Sequence, residues 1–395
     1  MKKSYFLPAD ILLPKENFEK WSVIACDQYT SQPEYWNETK KIVGENPSAL
    51  NIVLPEAFLE EDNSNAISKV NETMKNYLEN GVFDVYSDTF VYIERKLNNG
   101  SLRRGILGLI DLEDYSYLKG SNSLIRATEE TVLERIPPRV NIRLEAPLEI
   151  PHIMLLIDDD EKSVIEPLSE KTENFEKLYD FSLMQNAGSI KGYKISKNAS
   201  EQMLDAIENL AQKNDGMLFA VGDGNHSLAS AKECYKLGKG SRYALVEVVN
   251  IHENSLEFEP IYRVLFGVEP QKVIDDFVKS LGGEYYGFDA QKFTCVFGGE
   301  TKEISVKPNG KLAVATLQKF LDEYIKNTEI KIDYIHGIEA TKTLSERKNA
   351  IGFIFEGMQK SELFEAVCCD GSLPRKTFSM GTADDKRFYL EARKF

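Results

Sequence analysis

The sequence predicts an α/β (α+β) fold with mixed sheets, because three kinds of segment follow one another along its 395 residues. Two alternating apolar runs flank an Asn-Gly pair, as in a β-hairpin. A short apolar strand then leads through a glycine-rich turn into a helix, which predicts a strand-turn-helix phosphate site. Helical and strand patterns alternate after that turn, which predicts a smaller C-terminal α/β subdomain.

Two hairpins are predicted. In the first, residues 88–95 and 104–110 alternate around Asn98-Asn99-Gly100, whose Asn-Gly pair suits a tight turn with positive φ. In the second, residues 243–249 and 256–265 flank a polar link. The stretch from 161 to 197 is polar and weakly periodic, so we expect it to supply surface helices and connections.

The C-terminal part alternates helix and strand patterns. These patterns occur, in the order helix, strand, helix and strand, at residues 269–281, 293–297, 317–325 and 351–355. We therefore predict a main domain at residues 1–266, which carries the glycine-rich turn, and a C-terminal α/β subdomain at residues 267–395.

The composition excludes several classes of protein. A formal charge of −15 opposes binding to the phosphates of nucleic acids. No apolar run approaches the ~18 residues of a membrane span, and Pro8 and Asp10 interrupt the apolar start that a secretory signal needs. The five scattered cysteines are typical of reduced thiols. We expect a cytoplasmic protein that acts on a small molecule, with neither a nucleic-acid nor a membrane partner; a homodimer is left open.

The glycine-rich turn is the main candidate site, and it reads Gly222-Asp223-Gly224-Asn225-His226-Ser227. A strand that enters a helix through glycines presents backbone N–H groups and the positive end of the helix dipole, which favour a phosphate or carboxylate. The glycines let the backbone approach a ligand closely, and the last three side chains add donors. The alternative is an ordinary turn in which Asp223 or Asn225 caps the helix.

A second candidate lies near the N-terminus. Residues 21–26 read as a buried strand that runs into a polar turn at Asp27. An acid at the end of a strand can face a cleft, so Asp27 is a candidate general base or metal ligand. The alternative is that its carboxylate caps the turn that follows.

Basic residues gather in two further segments. Residues 126–136 read as a short helix, capped by Thr128 and stopped before Pro137-Pro138. Residues 126–139 contain three arginines of the kind that bind phosphate bidentately, Arg126, Arg135 and Arg139. Near the C-terminus, Arg375 and Lys376 form either another anion contact or a solvated turn. His152, His252 and His336 have no partner pattern and are interpreted as structural.

Four of these segments together resemble the family called domain of unknown function 1015, over essentially the whole chain. The family hallmarks are an Ala-Asp-Gly-His-His-Arg turn, an Arg- or His-led Glu-x-Thr segment, a Pro-Thr-His-Arg strand and a Pro-x-Lys-Ser/Thr segment. The corresponding stretches here are residues 222–227, 126–131, 260–263 and 374–377. Asn225 and Ser227 replace the first histidine and the arginine of the turn, so Arg126, Arg139 or Arg375 would have to supply the missing charge.

The family is distantly similar to free-serine kinases of the ParB and sulfiredoxin-like group. This resemblance implies a ParB/sulfiredoxin-like core and phosphoryl transfer to the hydroxyl of free L-serine or a similar metabolite. The implied donor is ATP, ADP or pyrophosphate, with Mg²⁺. The phosphates would contact Gly222, Gly224, Asn225, Ser227, Arg126, Arg135, Arg139, Arg375 and Lys376.

The resemblance also assigns catalytic and substrate-binding roles. His226 would neutralise developing charge, and Asp27 would accept the hydroxyl proton; we therefore expect the two to share a cleft. Asp223 could instead hold Mg²⁺ or serve as the base, and the sequence leaves both roles open. Substrate contacts are expected from Glu130, Thr131 and Arg263.

Three other readings are compatible with parts of this pattern. A non-catalytic nucleotide- or phosphate-sensing module would keep the turn but need no base. A ParB-like DNA-associated protein disagrees with the acidic charge. A hydrolase with His226 as base lacks a recognisable serine or cysteine nucleophile.

Overall fold

A computed structural model describes residues 4–60, 62–129, 136–214 and 216–395. Glu130, Thr131 and Arg135 of the predicted site lie outside the described residues. The chain divides into two compact units. The first contains the described residues of Met1–Ala127, Thr131–Leu256 and Gly381–Phe395, and the second those of Thr128–Glu130 and Glu257–Met380.

The strands up to residue 256 belong to the first unit: β1 (Ala9–Pro14), β2 (Val23–Ile24), β3 (Phe83–Thr89), β4 (Val91–Lys96), β5 (Leu102–Asp111), β6 (Tyr115–Ser116), β7 (Ile125–Ala127), β8 (Leu148–Glu149), β9 (Met154–Ile157), β10 (Glu176–Ser182), β11 (Ser189–Lys194), β12 (Phe219–Asp223) and β13 (Tyr243–Asn250). The second unit contains β14 (Phe258–Phe266), β15 (Gln291–Phe297), β16 (Glu300–Val306), β17 (Lys331–His336), β18 (Ala350–Phe355) and β19 (Phe378–Met380). The chain then returns to the first unit with β20 (Phe388–Tyr389) and β21 (Arg393–Lys394).

The helices of the first unit are α1 (Phe18–Trp21), α2 (Pro33–Val43), α3 (Ser64–Glu79), α4 (Ile136–Arg143), α5 (Glu166–Ser169), α6 (Lys197–Lys213) and α7 (Asn225–Lys236). Those of the second unit are α8 (Pro270–Ser280), α9 (Ala313–Tyr324), α10 (Ile338–Ser345) and α11 (Glu362–Asp370). No helix in the described ranges combines the length and the apolar character that a membrane crossing requires. All five cysteines are free thiols.

A mixed sheet forms the centre of the first unit, and its described strands lie in the order β10-β11-β4-β5-β13-β9-β12-β7-β6. The pairing is antiparallel from β10 to β13 and between β9 and β12. It is parallel between β13 and β9, between β12 and β7, and between β7 and β6. The predicted mixed α/β class and the first hairpin, β4 with β5, are therefore confirmed.

Side chains of this sheet enter two cores, one on each face. In β4, Val91 and Ile93 join a cluster that contains Trp36 of α2, whereas Tyr92 joins a cluster that contains Leu228 of α7. Alternate residues of a strand point to opposite faces, so the sequence alternation directly produces the two cores. Helices pack on both sides as a result.

The second unit is built on an antiparallel sheet of order β16-β15-β18-β14-β17, and β19 pairs with the first residues of β14. Phe277 of α8 packs on this sheet, with its ring centroid 5.3 Å from that of Phe293 in β15 and 5.0 Å from that of Phe320 in α9. The four helix and strand patterns predicted after residue 266 all occur at their expected places.

The division into units differs from the predicted boundary after Phe266. β14 pairs with β17 and β18 and so belongs to the second unit from its first residue. Residues 381–395 return to the first unit, where β20 pairs with β2 and β21 pairs with β8. A change of periodicity along the sequence cannot reveal such a return, because it depends on pairing between distant strands.

Three local predictions were wrong. β13 and β14 do not form a hairpin, because β13 is already flanked by β5 and β9. The polar stretch from 161 to 197 contains β10 and β11. Arg126 lies in strand β7, and α4 begins at Ile136 and includes Pro137-Pro138 instead of stopping before them. Proline is compatible with the first turn of a helix, where its missing N–H would have no intrahelical partner.

A buried ion-pair network connects the C-terminal residues to the central sheet. Arg387 donates to Glu247 of β13 (2.7 Å), to Glu391 (2.6 Å) and to the Pro151 carbonyl (2.6 Å). All three charged residues are at most 3% exposed. Charges without access to water are stable only while they stay paired, so the loss of one partner costs much more than the loss of a surface pair.

We predict that Glu247→Gln lowers the free energy of unfolding by about 3–5 kcal/mol, because it leaves the Arg387 guanidinium with an incomplete set of charged partners. Urea unfolding followed by fluorescence measures this change. The control is Glu38→Gln, which removes an exposed pair with Lys41 and should cost less than about 1 kcal/mol. Equal losses in the two variants would contradict the stabilising role of the network.

Candidate functional site

The predicted strand, turn and helix are present at β12 and α7. Gly224 is the N-cap of α7 and has φ 80°, a left-handed conformation that suits glycine. A Cβ atom at this position would lie 3.0 Å from the Cα atom of Ile153, so a larger residue has no room. The pairing of β12 with β9 shifts register between Val221 and Asp223, which leaves Gly222 at a bulge next to the turn.

The start of α7 lacks the ordinary cap that was the alternative interpretation. The N-cap is a glycine, and no side-chain cap bond forms there. The Asp223 carboxylate instead accepts the N–H of Gly224 at 2.9 Å. The Oδ1 atom of Asn225 is buried and has no hydrogen-bond partner among the described residues. The first N–H groups of a helix have no intrahelical partner, so this half-buried turn has the chemistry of an anion site.

Lys386 interacts with both candidate acids. Its Nζ atom lies 3.5 Å from the Asp223 carboxylate, and both side chains are less than 20% exposed. Its positive charge also acts on Asp27 and lowers the pKa of that carboxyl. Lys386 thus acts electrostatically on both Asp27 and Asp223, although the two acids are distant in sequence. His226 lies in the first turn of α7, where its carbonyl accepts the Ser230 hydroxyl.

Asp27 follows the short strand β2, and its carboxylate lies near a histidine. Its Oδ2 atom lies 4.0 Å from Nε2 of His152, and its Oδ1 atom accepts the Gln28 amide at 3.0 Å. His152 was interpreted as structural from the sequence, and the structure places it in the candidate site. The Nδ1 atom of its imidazole lies 2.7 Å from the Tyr389 hydroxyl, whose other partner is Cys26.

The charges around Asp27 keep it ionised. Burial of the carboxyl group raises its pKa, but His152 in its protonated form, the Gln28 hydrogen bond and Lys386 together outweigh that effect. The pKa of Asp27 therefore lies below its ordinary value, and the group is a carboxylate at neutral pH. Cys26 has the opposite character, because burial, followed by the charge of Asp27, raises the pKa of its thiol to about 12. It is thus no thiolate nucleophile at neutral pH.

Two buried arginines hold the segment that carries Lys386. Arg95 and Arg103 lie opposite each other in β4 and β5 and are 2% and 4% exposed. They donate to the carbonyl oxygens of Asp384 (3.1 Å) and Asp385 (2.6 Å), directly before Lys386. Burial, then the charge of Arg103, lowers the pKa of Arg95 to about 9. These bonds fix residues 381–387, which we call the C-terminal segment, on the sheet.

The other predicted arginines of the first unit have identifiable partners. Arg126 is buried and donates to the carbonyl groups of Ser123 and Gly216, so it ties β7 to the loop before β12. Arg139 pairs with Glu56, and the charges of both act on the Cys26 thiol next to Asp27. The structure therefore places Arg139 close to the candidate site.

Three predicted residues lie in the second unit and contact one another there. Arg263 is fully buried and donates to the carbonyl oxygens of Arg375 (3.1 Å) and Lys376 (2.8 Å). Arg375 and Lys376 are exposed, and Lys376 has a positive φ of 57°. Arg375 also donates to the Tyr334 hydroxyl at 3.0 Å. Arg263 thus acts as a clamp that shapes the turn from Pro374 to Thr377.

The sequence analysis missed Lys386, His152 and Tyr389. Lys386 lies in the basic C-terminal stretch for which the sequence left an anion contact and a solvated turn open, and only its contact with Asp223 distinguishes it. His152 and Tyr389 are 237 positions apart, so no local spacing relates them. In the ranges that the structure describes, no group of three His, Cys, Asp or Glu side chains has the arrangement of a metal site.

The fold and this geometry define a mixed α/β protein whose candidate site lies where a strand, a glycine turn and a helix meet. The chain belongs to the family described as "Protein of unknown function (DUF1015)", which matches residues 7–365. This match confirms the resemblance drawn from the four sequence segments. A comparison with curated proteins gives no match.

Similarity to solved structures is weak. A conserved hypothetical protein from Pyrococcus furiosus is 15% identical, with a TM-score of 0.36 over 71% of this chain and 90% of that chain. A free serine kinase in complex with AMP is 14% identical, with a TM-score of 0.40 over 71% and 90%. SbnI with a C-terminal truncation, from Staphylococcus aureus, is 13% identical, with a TM-score of 0.39 over 72% and 85%.

We predict that pyrophosphate raises the melting temperature of the protein and that Gly224→Ala abolishes this rise, because the added Cβ displaces the turn from Ile153. The control is Gly238→Ala, just beyond the end of α7. Gly238 also has a positive φ, 68°, but its Cβ would meet open space. Both variants carry the left-handed strain of about 1–2 kcal/mol, and only Gly224→Ala moves the turn. A normal response to pyrophosphate in Gly224→Ala would place the anion site elsewhere.

Proposed function

We propose that this protein is a phosphotransferase that moves a phosphoryl group from ATP, ADP or pyrophosphate to the hydroxyl of a small metabolite such as free L-serine. The position of Lys386 supports this function most strongly. It lies 3.5 Å from the acid of the glycine-rich turn and also lowers the pKa of Asp27. Phosphoryl transfer needs positive charge at the phosphate and a carboxylate at the hydroxyl, within one site.

The donor phosphate would bind at the start of α7. The N–H groups of the first turn and the helix dipole attract an anion there, and Gly224 lets it approach the backbone. The family turn has an arginine where this chain has Ser227, so another cation must neutralise the phosphate. Lys386 is a cation next to the turn, 3.5 Å from Asp223, and the charge of Arg139 acts on the Cys26 thiol that precedes Asp27.

The acceptor hydroxyl would lie between the phosphate and Asp27. In the reaction, the hydroxyl oxygen forms a bond to the transferred phosphorus while the bond from phosphorus to the leaving phosphate oxygen breaks. The hydroxyl proton passes to the Asp27 carboxylate, which is ionised at neutral pH because of its low pKa. The buried, unmatched Oδ1 atom of Asn225 suits a hydroxyl or ammonium donor of a small polar acceptor.

Magnesium would bind together with the donor. Magnesium sites in phosphate enzymes usually combine one or two carboxylates with the substrate's own phosphates, so the absence of a three-ligand cluster from the described residues is compatible with it. Asp223, at the end of β12, is the carboxylate that would hold the ion. When bound, the ion would neutralise phosphate charge, while Lys386 and the helix start orient the same phosphate.

We predict that the purified protein with Mg²⁺ and one of the three donors converts L-serine to phosphoserine, and that Asp27→Asn reduces kcat by ~10²–10⁴-fold while donor binding persists. Phosphoserine formation is measured by mass spectrometry, and donor binding by calorimetry. Asp205→Asn, an exposed acid on α6, is the matched control and should keep full activity.

Two outcomes separate this proposal from its main alternative. Donor binding without turnover, for L-serine and a panel of other small hydroxyl compounds, would identify a nucleotide- or phosphate-sensing module. Turnover that survives in Asp27→Asn but disappears in Asp223→Asn would move the base to Asp223.

We predict a different kinetic effect for Lys386→Met. The loss of the cation weakens donor binding, so the Michaelis constant for the donor should rise about 10–100-fold, as expected for a charged contact worth roughly 1.5–3 kcal/mol. Lys239→Met, which replaces an exposed lysine beyond α7, is the control and should leave the donor constant unchanged. A variant that loses kcat at an unchanged donor constant would show that Lys386 does not contact the phosphate.

A further inference from the structure

A buried chain of polar groups lies behind Asp27 and is not used by the reaction proposed above. His152 and Tyr389 are 8% and 3% exposed, and their rings meet edge to face with centroids 5.5 Å apart. Two hydrogen bonds link the chain, from His152 to Tyr389 at 2.7 Å and from the Tyr389 hydroxyl to the Cys26 sulfur at 3.0 Å. At one end of this chain, the Nε2 atom of His152 faces Asp27.

The hydrogen bonds of Tyr389 determine which imidazole nitrogen carries a proton. The Tyr389 hydroxyl donates its hydrogen to Cys26 Sγ, and the Cys26 N–H points at the same oxygen at 3.3 Å. With the hydroxyl hydrogen on Cys26 Sγ, the tyrosine oxygen acts as an acceptor toward His152, and Nδ1 of the imidazole supplies the hydrogen of that bond. The lone pair of the neutral imidazole is then on Nε2, which faces Asp27.

We propose that His152 is a proton-relay residue that acts through Asp27: the proton that Asp27 takes from the acceptor hydroxyl passes to Nε2 of His152, while Tyr389 holds the ring by its Nδ1–H. This inference rests on the proposed phosphotransfer. The balance is simple, since the O–H bond of the acceptor breaks, a carboxylic O–H forms briefly on Asp27, and an N–H bond forms on His152. The proton leaves to solvent when the product departs.

The geometry and the charges support this relay. The 4.0 Å between Asp27 Oδ2 and His152 Nε2 is longer than a hydrogen bond, and Asp27 is 31% exposed, so a rotation of its side chain can shorten it. Catalytic contacts are often long before substrate binds. A carboxylate with a depressed pKa is a weak base by itself, and it needs a group that removes the proton. Imidazole side chains commonly accept and release protons in this way.

Each charged group that faces Asp27 contributes to its titration. Burial of the carboxyl raises its pKa, whereas His152, the Gln28 amide and Lys386 lower it, and these groups come from three parts of the chain. Cys26 is protonated at neutral pH and adds no charge. If His152 is removed, the carboxylate loses the largest of its stabilising partners. The pKa of Asp27 must then rise.

The first test measures that titration directly. Protein labelled with ¹³C at the aspartate carboxyl groups is titrated by NMR, and Asp27→Asn identifies the Asp27 resonance. We predict that His152→Gln moves the Asp27 titration to higher pH. His252→Gln is the matched control, because His252 also pairs with an aspartate, Asp158, at 2.7 Å in the same unit. It should leave Asp27 unmoved.

The second test follows the pH dependence of kcat/KM for phosphoserine formation. In His152→Gln kcat should fall by roughly 10²-fold at an unchanged donor constant, and the acid limb should change shape, because one of the two groups that must be deprotonated for the relay is gone. Tyr389→Phe keeps the ring and removes only the hydroxyl that holds Nδ1. It should also lower kcat, and it provides the test if His152→Gln does not fold.

The two failures are distinguishable. A folded, active His152→Gln protein with an unmoved Asp27 titration and normal kcat overturns the relay and leaves the proposed function intact. A wild-type protein without turnover overturns the proposed function, and the relay with it, even if the Asp27 titration still responds to His152.

Discussion

The burial of Arg387 is the interaction on which the rest of the candidate site depends. Its guanidinium lies between Glu247 of the central sheet and Glu391 near the C-terminus, at 2.7 and 2.6 Å. Because a buried charge is stable only while its partners stay in place, the C-terminal segment can occupy only one register on the sheet. The neighbours of Arg387 in sequence are positioned by the same register. Lys386 lies beside Asp223, and Tyr389 lies beside His152.

The site is consequently assembled at the ends of elements that the sheet holds in place. Asp27 follows β2, His152 precedes β9 and Asp223 ends β12. The pairing of β2 with β20 sets Val23 opposite Tyr389, which brings the residues after β2 to the tyrosine that holds His152. Paired strands supply fixed positions, and the short connections beyond them carry the residues of the candidate site. This arrangement explains why residues from both ends of the chain meet in the first unit.

The features that could be predicted from the sequence are those whose pattern lies within a few neighbouring residues. The turn at Gly224 was predictable because glycine, strand and helix patterns occur within a few residues of one another. The false hairpin of β13 and β14 shows the limit, since alternation reports which face is buried but not which strand is adjacent. The positions of Lys386 and His152 in the candidate site could not be predicted for the same reason. Their roles depend on contacts across the whole chain, and a lone lysine or histidine has no periodicity to reveal them.

Because the turn of this chain differs from the family turn, the positive charge next to it comes from Lys386, whose position depends on the fold. The family turn has a histidine and an arginine at the start of the helix, where this chain has Asn225 and Ser227. Lys386 approaches Asp223 from the C-terminal segment instead, and that segment is held by Arg95 and Arg103 through backbone carbonyls. In the proposed function, a phosphate bound through Lys386 would also favour the docked segment, and by linkage the docked segment would favour phosphate. In a protein with an arginine in the turn, the positive charge would lie on the helix itself and would not depend on the position of a distant segment.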